Sequence, residues 1–165
     1  MEDNLITELT ETEVRTDFLA LMSEIEAGSW FDLDNRNHVE WLQRKISRRF
    51  GGGGRFYGIY LSDKHPLGLY CLQIEEHPIH QGNAEVLDLG VVEDYRRQGY
   101  GMKLMKDAEA RAKNTDVCTL YVATYVGDEA AIEFYERCGF QKVAELPGLN
   151  GPDDHGQMYM LKRVQ

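Results

Sequence analysis

One stretch of the chain places an apolar strand, a turn and a helix directly after one another. An apolar run over residues 86–92 is followed by charged residues and then by Arg96-Arg97-Gln98-Gly99-Tyr100-Gly101. Apolar residues then recur at helical spacing, at Leu104, Met105, Ala108 and Ala112. The sequence therefore predicts a strand that ends in a glycine-containing turn, and a helix that begins at this turn.

The N-terminus of this predicted helix is suited to binding phosphate. Helix N-termini leave backbone N–H groups unpaired, and the helix dipole adds about half a positive elementary charge. Gly99 and Gly101 have no Cβ atom, so phosphate can approach the backbone, and Arg96 and Arg97 add charged donors. Two common phosphate patterns do not fit, because Leu104 replaces the third glycine of a dinucleotide loop and no G-K-[ST] occurs. The alternative is an ordinary strand-to-helix turn with two surface arginines.

Hydrophobic periodicity predicts an alternation of strands and helices along the chain. Helices are predicted over about residues 13–27, where Gly28 ends the helix, through residues 39–50, after residue 100, and in a short segment with Asp128 as its N-cap. Strands are predicted at residues 5–9, 55–61, 67–74, 86–92, 117–126, 140–146 and 157–164. This order predicts a mixed α/β fold with one central sheet and helices on both sides.

The second predicted helix has a basic face and is followed by four glycines. The basic residues are Arg44, Lys45, Arg48 and Arg49. They are predicted to form a solvated face, with binding of an anion or of membrane lipid as the alternative. The glycines at residues 51–54 are predicted to form a flexible connector, since they have no side chains and the greatest backbone freedom.

Composition limits the classes of function. The 18 basic and 28 acidic residues give a formal charge of −10, which argues against nucleic acid as a partner and is compatible with a cationic amine substrate. Solubility alone is the other explanation of this charge. No apolar run is long enough for a membrane span, and the acidic start does not resemble a secretory signal.

The cysteines and histidines do not predict a metal site. The chain has three cysteines, Cys71, Cys118 and Cys138, and no two of them have the spacing of metal ligands. An odd number of cysteines without this spacing predicts reduced thiols in a cytoplasmic protein. His77 and His80 flank Pro78 in a predicted loop without nearby cysteine, so they are not expected to bind metal either.

Two motifs resemble those of the GNAT superfamily of N-acetyltransferases. Arg96-x-x-Gly99-x-Gly101 is similar to the superfamily's loop for the pyrophosphate of acyl-CoA. Residues 131–140 are similar to its A-I-x-F-Y-x-x-x-G-F motif and follow Gly101 by 30 residues, in the family's order. The resemblance covers about residues 54–163. It implies one domain over residues 1–165, with a central, mostly antiparallel sheet of about seven strands flanked by about four helices.

The resemblance also implies the reaction. Acetyl-CoA would serve as co-substrate, and its acetyl group would pass directly to a primary amine of a small molecule or peptide within a ternary complex. The implied pyrophosphate-binding residues are Arg96, Arg97, Gln98, Gly99, Tyr100, Gly101 and Met102. Backbone N–H groups at Leu89, Gly90 and Val91 would hold the thioester carbonyl.

Two side chains are implied as the catalytic acid and base. The family's tyrosine corresponds to Tyr135, and an ordinary phenol, with a pKa of about 10, can protonate the leaving thiolate at neutral pH. Glu85 corresponds to the glutamate of histone-type members and precedes Gly99 by 14 residues. Strand alternation would place Glu85, Leu87 and Leu89 on one face and Asp88 on the other. Because Glu85 and Leu89 would lie about 13 Å apart in a strand, proton transfer needs a water relay or a bulge.

The sequence leaves the acceptor and the assembly open. Residues 30–35, 75–83 and 147–156 are expected to shape the acceptor site, with Asp32 and Asp34 as candidate contacts. Trp30 and Phe31 are predicted either to line that site or to anchor the core. The oligomeric state is not readable, and a homodimer is one of the states that the sequence allows. A non-catalytic acyl-CoA sensor, or an interaction module on the same fold, is the alternative function.

Overall fold

The computed structural model describes residues 5–27, 30–61, 64–76, 78–79, 82–149 and 151–165. Within these ranges the structure has seven strands and five α-helices, in the order β1 Ile6–Leu9, α1 Glu11–Thr16, α2 Leu19–Ala27, α3 Arg36–Gly51, β2 Arg55–Tyr60, β3 Pro66–Glu75, β4 Gly82–Val91, α4 Tyr100–Lys113, β5 Val117–Tyr125, α5 Glu129–Arg137, β6 Gln141–Leu146 and β7 Gln157–Arg163. The strands form one sheet in the order β1-β2-β3-β4-β5-β7-β6. The predicted mixed α/β class is confirmed, as is the seven-stranded sheet.

Most of the strand pairs run antiparallel, as predicted. The pairs β1–β2, β2–β3, β5–β7 and β6–β7 are antiparallel, whereas β4 and β5 are parallel. None of the helices in the described part of the chain is long and apolar enough to cross a membrane.

The chain folds into two compact units, and each unit combines two segments. The first unit contains Met1–Gln73 and Leu87–Ala108, and the second contains Ile74–Val86 and Glu109–Gln165. The boundary passes through β4, so Glu85 belongs to the second unit and the end of that strand to the first. A single domain over residues 1–165 stays a prediction.

The core of the first unit lies between β1–β3 and helices α1–α3. It is formed by buried side chains of both layers, namely Leu9, Val14, Phe18, Leu21, Met22, Leu42, Ile46, Phe56, Leu69 and Cys71. Residues 104–107 of α4 pack on the other face of β3, where a Cβ atom on Gly68 would lie 3.0 Å from Leu104 Cδ1. The Tyr70 hydroxyl there donates to Asp107 on α4 at 2.5 Å. Helices on both faces of the sheet are therefore confirmed for this unit.

The single helix predicted over residues 13–27 is wrong, because the structure divides it. Thr10 and Glu13 form a capping box that begins α1, and α1 ends at Thr16. The Phe18 N–H bonds to the Glu13 carbonyl, one residue further back than an α-helix allows, and its ring is fully buried. The chain thus makes one wider turn between α1 and α2, and Val14 and Phe18 are both buried. The predicted stop at Gly28 lies outside the described residues.

The flexible connector predicted at residues 51–54 is also wrong. These glycines form the C-terminal turn of α3, with the N–H groups of Gly52 and Gly54 donating to Arg48 and Arg49 carbonyls at 2.9 Å each. A Cβ atom on Gly54 would lie 2.8 Å from the Arg49 carbonyl oxygen and 2.9 Å from the Cys71 sulfur. Gly54 is therefore required for close packing rather than for flexibility.

In the second unit, α5 and the strands β5 and β7 all contribute buried side chains. The Asp128 side chain caps α5 by accepting from the Ala131 N–H at 3.0 Å, as the sequence predicts. These buried side chains include Leu120, Val122, Ile132, Tyr135, Met158 and Met160. Strand β6 is exposed along its whole length at the edge of the sheet.

Candidate active site

The turn between β4 and α4 has the conformation that an anion site needs. It contains two left-handed residues, Arg97 with φ of 59° and Gly99 with φ of 90°. Left-handed residues in a turn direct successive backbone N–H groups toward one side, where an anion can accept from them. Apart from Gly99 and its two chain neighbours, no described residue has an atom within 4 Å of the position that a Gly99 Cβ would occupy, so the space above this residue is open. The turn is therefore able to accept a phosphate at the N-terminus of α4.

Two polar side chains of this turn bind the protein itself. The Arg96 guanidinium donates to the Val91 carbonyl at 2.8 Å and to Glu24 on α2 at 3.1 Å. The Gln98 amide donates to the Asp94 carbonyl at 3.0 Å. These contacts fix the shape of the turn and occupy part of the donor capacity predicted for Arg96. An anion at this turn would consequently be held mainly by backbone N–H groups.

The end of β4 contains the three residues predicted to bind a carbonyl, and an unusual residue comes directly before them. Asp88 has φ of 51°, in the left-handed region, immediately before Leu89. The predicted regular alternation from Glu85 through Leu89 is therefore wrong, because one left-handed residue interrupts the extended backbone. Leu87 packs against the core of the first unit while Asp88 contacts α3, so both neighbours meet the same helical layer.

The basic face of α3 is not simply solvated, contrary to the prediction. Lys45 and Arg49 both form ion pairs with Asp88, whose side chain is only 4% exposed. Arg44 does match the prediction, since it is largely exposed and pairs with Glu40 at 3.9 Å. Lys45 and Arg49 differ from Arg44 because Asp88 lies beside them in the folded protein. Helical periodicity in the sequence does not predict this position of Asp88.

Glu85 is bound by a tyrosine that the sequence analysis missed. Glu85 and Tyr121 are partners in the parallel register of β4 and β5, and the Tyr121 hydroxyl donates to Glu85 Oε2 at 3.0 Å. Burial and, next, the Glu85 charge raise the pKa of Tyr121 to about 12, with smaller effects from Glu75 and Tyr159. Tyr121 thus remains a hydrogen-bond donor at neutral pH. No motif marks Tyr121, and only the strand register identifies it.

Tyr135 lies on the inner face of α5 in the second unit. Its side chain is 8% exposed and its ring makes edge contacts with Phe134 and Phe140, at centroid distances of 5.3 Å and 5.8 Å. These contacts orient the ring. Glu85 belongs to the same unit as Tyr135, whereas the predicted cofactor-binding residues belong to the first unit.

The segment after α2 lines an acidic groove in the first unit. Trp30 is 87% exposed and so does not anchor the core. Phe31 packs against the core, and its ring centroid lies 5.9 Å from that of Trp41. The groove is lined by Ala20, Ser23, Glu24, Phe31, Asp32, Leu33, Glu93 and Arg96. Three carboxylates and one guanidinium give it a negative balance. Asp32 lines this groove and Asp34 is not among its lining residues, and a substrate contact at either residue stays a prediction.

Groups of side chains that could hold a metal ion do not occur among the described residues. His77 and His80, which the sequence analysis considered, lie outside those residues. The same is true of parts of two of the three segments expected to shape the acceptor site, residues 75–83 and 147–156.

Comparisons with known proteins assign this fold to a family. The model of the acetyltransferase (GNAT) family matches residues 15–140. The uncharacterized N-acetyltransferase YycN of Bacillus subtilis is 28% identical over 126 residues, which cover 72% of this chain and 77% of that protein. N-alpha-acetyltransferase 30 of Schizosaccharomyces pombe is 35% identical over 80 residues, or 46% of this chain and 53% of that protein.

A solved structure shows the same fold. It is a Bacillus subtilis acetyltransferase in complex with CoA, with a TM-score of 0.73 and 18% identity, covering 99% of this chain and 100% of that one. The fold is that of an acyltransferase. The chain belongs to the GNAT family of acetyltransferases.

Proposed function

We propose that this protein transfers the acetyl group of acetyl-CoA to a primary amine by direct transfer within a ternary complex. The observation that carries the proposal is the turn after β4, where Arg97 and Gly99 are left-handed and the space above Gly99 is open in the described structure. Membership of the GNAT family supports acetyl-CoA as the acyl donor, and one solved structure with this fold holds CoA.

The turn residues would bind the pyrophosphate of acetyl-CoA. Backbone N–H groups at residues 97–101 and the N-terminus of α4 supply donors and positive potential. Arg96 would act mainly by holding the turn, through Val91 and Glu24. When bound, acetyl-CoA supplies an activated thioester, and N–H groups at Leu89, Gly90 and Val91 would stabilise the charge that develops on its carbonyl oxygen.

Glu85 and Tyr135 would move the protons. The amine nitrogen must lose a proton as it forms the new bond, and we propose that a water molecule passes this proton to the Glu85 carboxylate. Tyr121, which stays protonated because its pKa is raised to about 12, would hold that carboxylate in place. The Tyr135 hydroxyl would donate its proton to the sulfur of the departing CoA thiolate.

The charge of the protein supports a cationic acceptor. The formal charge is −10, and Glu24, Asp32 and Glu93 line the groove beside α2. Carboxylates of this kind attract an ammonium group before it loses its proton. A peptide N-terminus is a second acceptor class, favoured by the relative that is named an N-alpha-acetyltransferase.

Initial-rate kinetics with an amine panel test the proposal. The protein is assayed with acetyl-CoA and polyamines, amino acids or peptides with free N-termini, and release of CoA thiol is followed. Direct transfer predicts intersecting double-reciprocal plots. It also predicts that mass spectrometry will find no acetylated protein when acetyl-CoA is present without an acceptor. Parallel plots with an acetylated intermediate would indicate a covalent mechanism. Binding of acetyl-CoA without turnover on any amine would favour the non-catalytic sensor.

A further inference from the structure

A strained residue lies next to the backbone groups proposed to bind the acetyl carbonyl. Asp88 has φ of 51° within β4, and Leu89 follows it directly. Non-glycine residues seldom adopt this conformation, and they keep it only where the surrounding structure holds them there. The direction of the following N–H groups depends on this residue, because it breaks the extended run of the strand. The contacts that hold the Asp88 side chain therefore help to set the shape of the site.

Two cations on α3 bind the two oxygens of Asp88 separately. Lys45 Nζ lies 3.0 Å from Oδ1, and Arg49 Nε lies 2.9 Å from Oδ2. Lys45 and Arg49 are four residues apart, so they project from the same face of the helix. Lys45 also pairs with Glu26 at the end of α2. Two cations and two carboxylates thus balance in charge around a side chain that is almost fully buried.

This arrangement fixes more than the position of a charge. Since each oxygen has its own partner, the carboxylate plane and the position of the Asp88 Cβ atom are held, which limits how far the Asp88 backbone can move from its left-handed conformation. Buried ion pairs are weak evidence for stability, because apolar replacements are often as stable. An ion cluster at the one strained residue of β4 fits a positioning role better than a purely stabilising one.

We propose that Lys45 and Arg49 are positioning residues for acetyl transfer. By holding the side chain, they keep Asp88 in its left-handed conformation. This conformation aims the N–H groups of Leu89 and Gly90 at the thioester carbonyl. The inference rests on the function proposed above. It adds three residues that act through the backbone and do not contact substrate.

Replacement of Lys45 by Met tests this role without altering β4 itself. Loss of one well-aimed carbonyl donor typically costs about 100-fold or more in kcat, so a partly released Asp88 is expected to lower kcat about tenfold. Affinity for CoA, which lacks the acetyl carbonyl, is expected to change less than about twofold, since the pyrophosphate turn is untouched. Lys45→Arg, which restores the charge, is expected to recover most of the lost kcat. Arg44→Met is the matched control, because Arg44 lies beside Lys45 but is exposed.

A second pair of variants separates backbone direction from charge. Asp88→Ala and Asp88→Gly both remove the carboxylate, but only glycine adopts a left-handed conformation without cost. Asp88→Gly is therefore expected to keep at least about threefold more kcat than Asp88→Ala. Equal kcat in the two variants, or an unchanged kcat in Lys45→Met, would overturn the positioning role. A loss in Lys45→Met that appears equally in CoA affinity would also overturn it.

Folding and the proposed function are checked in the same experiment. Circular dichroism and the thermal midpoint of each variant are recorded, and variants that do not fold are replaced by Arg49→Lys, which keeps the charge but removes the guanidinium geometry. Arg49→Lys is then expected to lower kcat and to leave CoA affinity unchanged, and an unchanged kcat contradicts the proposal. Wild-type protein without turnover on any amine would refute the proposed function and this inference together. Active wild-type protein with unaffected variants would refute the inference alone.

Discussion

The turn after β4 and the Glu85–Tyr121 pair are built in different ways. The turn presents backbone groups, and its left-handed φ of 90° at Gly99 restricts the residue type at that position. The pair presents side chains from two strands, joined by a hydrogen bond of 3.0 Å that depends on the register of β4 and β5. A site made of backbone groups therefore leaves a readable pattern of glycines. A site made of side chains becomes visible only when the fold brings its members together.

The largest expected effect concerns the side-chain region. Glu85→Gln removes the proposed base while keeping the shape of the side chain and a partner for Tyr121. Turnover at neutral pH is expected to fall about 100-fold, since a positioned base contributes at least this much. The measurement is kcat with a responsive amine, together with the dissociation constant of acetyl-CoA, which is expected to stay unchanged.

Glu8→Gln is the matched control for that change, because Glu8 is an exposed strand glutamate whose partner Arg55 lies 3.8 Å away. If kcat of Glu85→Gln equals that of the control, Glu85 is not the base. The Glu85–Tyr121 pair would then have no catalytic role to set against the binding role of the turn.

Tyr135→Phe is expected to have a smaller effect. Loss of the hydroxyl removes the proposed acid, but a thiolate is a moderate leaving group, so kcat is expected to fall only about tenfold. The ring contacts with Phe134 and Phe140 remain, so the thermal midpoint is expected to be nearly unchanged. Tyr125→Phe, at a 41% exposed position, is the control. A drop in acetyl-CoA affinity without a drop in kcat would place Tyr135 in binding rather than in proton transfer.

The smallest expected effect is a change in alkaline stability from Tyr121→Phe. The pKa of Tyr121 is raised from 10.0 to about 12 in the folded protein, first by burial and then by Glu85. Its contribution to the free energy of unfolding is therefore complete below about pH 10 and is lost as the pH rises through about 12. The difference in this free energy between wild type and Tyr121→Phe is expected to narrow over that range.

Urea unfolding at pH 9 and at pH 11.5 measures this difference, with Tyr125→Phe as the exposed control. A difference that stays constant across the two pH values would mean that the Tyr121 pKa is not raised in the folded state. The proposed hold of Tyr121 on Glu85 would then be unsupported.

Much of the fold was readable from the sequence because local pattern and tertiary structure agree. Asp128 caps α5 as predicted, and the seven strands overlap the seven predicted ones. The predictions failed where tertiary contacts override local preference. A wide turn at Phe18 divides the first helix, and packing of Gly54 against Cys71 orders a segment that composition alone marks as flexible.

In the candidate site, too, local features were predictable from the sequence and tertiary contacts were not. Gly99 marks the turn because its left-handed backbone favours glycine, and the motif around Tyr135 is local, within α5 and the residues that follow it. By contrast, the Tyr121–Glu85 hydrogen bond and the contacts of Lys45 and Arg49 with Asp88 join residues more than 30 positions apart in sequence. Such pairs leave no local pattern, because each residue taken alone is ordinary for its strand or helix.

Ligand-induced thermal stabilisation tests the central claim, that the turn after β4 binds acetyl-CoA. Gly99 and Gly53 have φ of 90° and 88°, and, apart from each glycine and its chain neighbours, no described residue has an atom within 4 Å of either Cβ position, so Val is equally strained at both. At about 100 times its dissociation constant, acetyl-CoA adds about 2.7 kcal/mol to the free energy of unfolding. At about 2–4 °C per kcal/mol, wild type and Gly53→Val are expected to gain about 5–10 °C, and Gly99→Val is expected to gain almost nothing. No gain in wild type, or an equal gain in all three proteins, would contradict the claim.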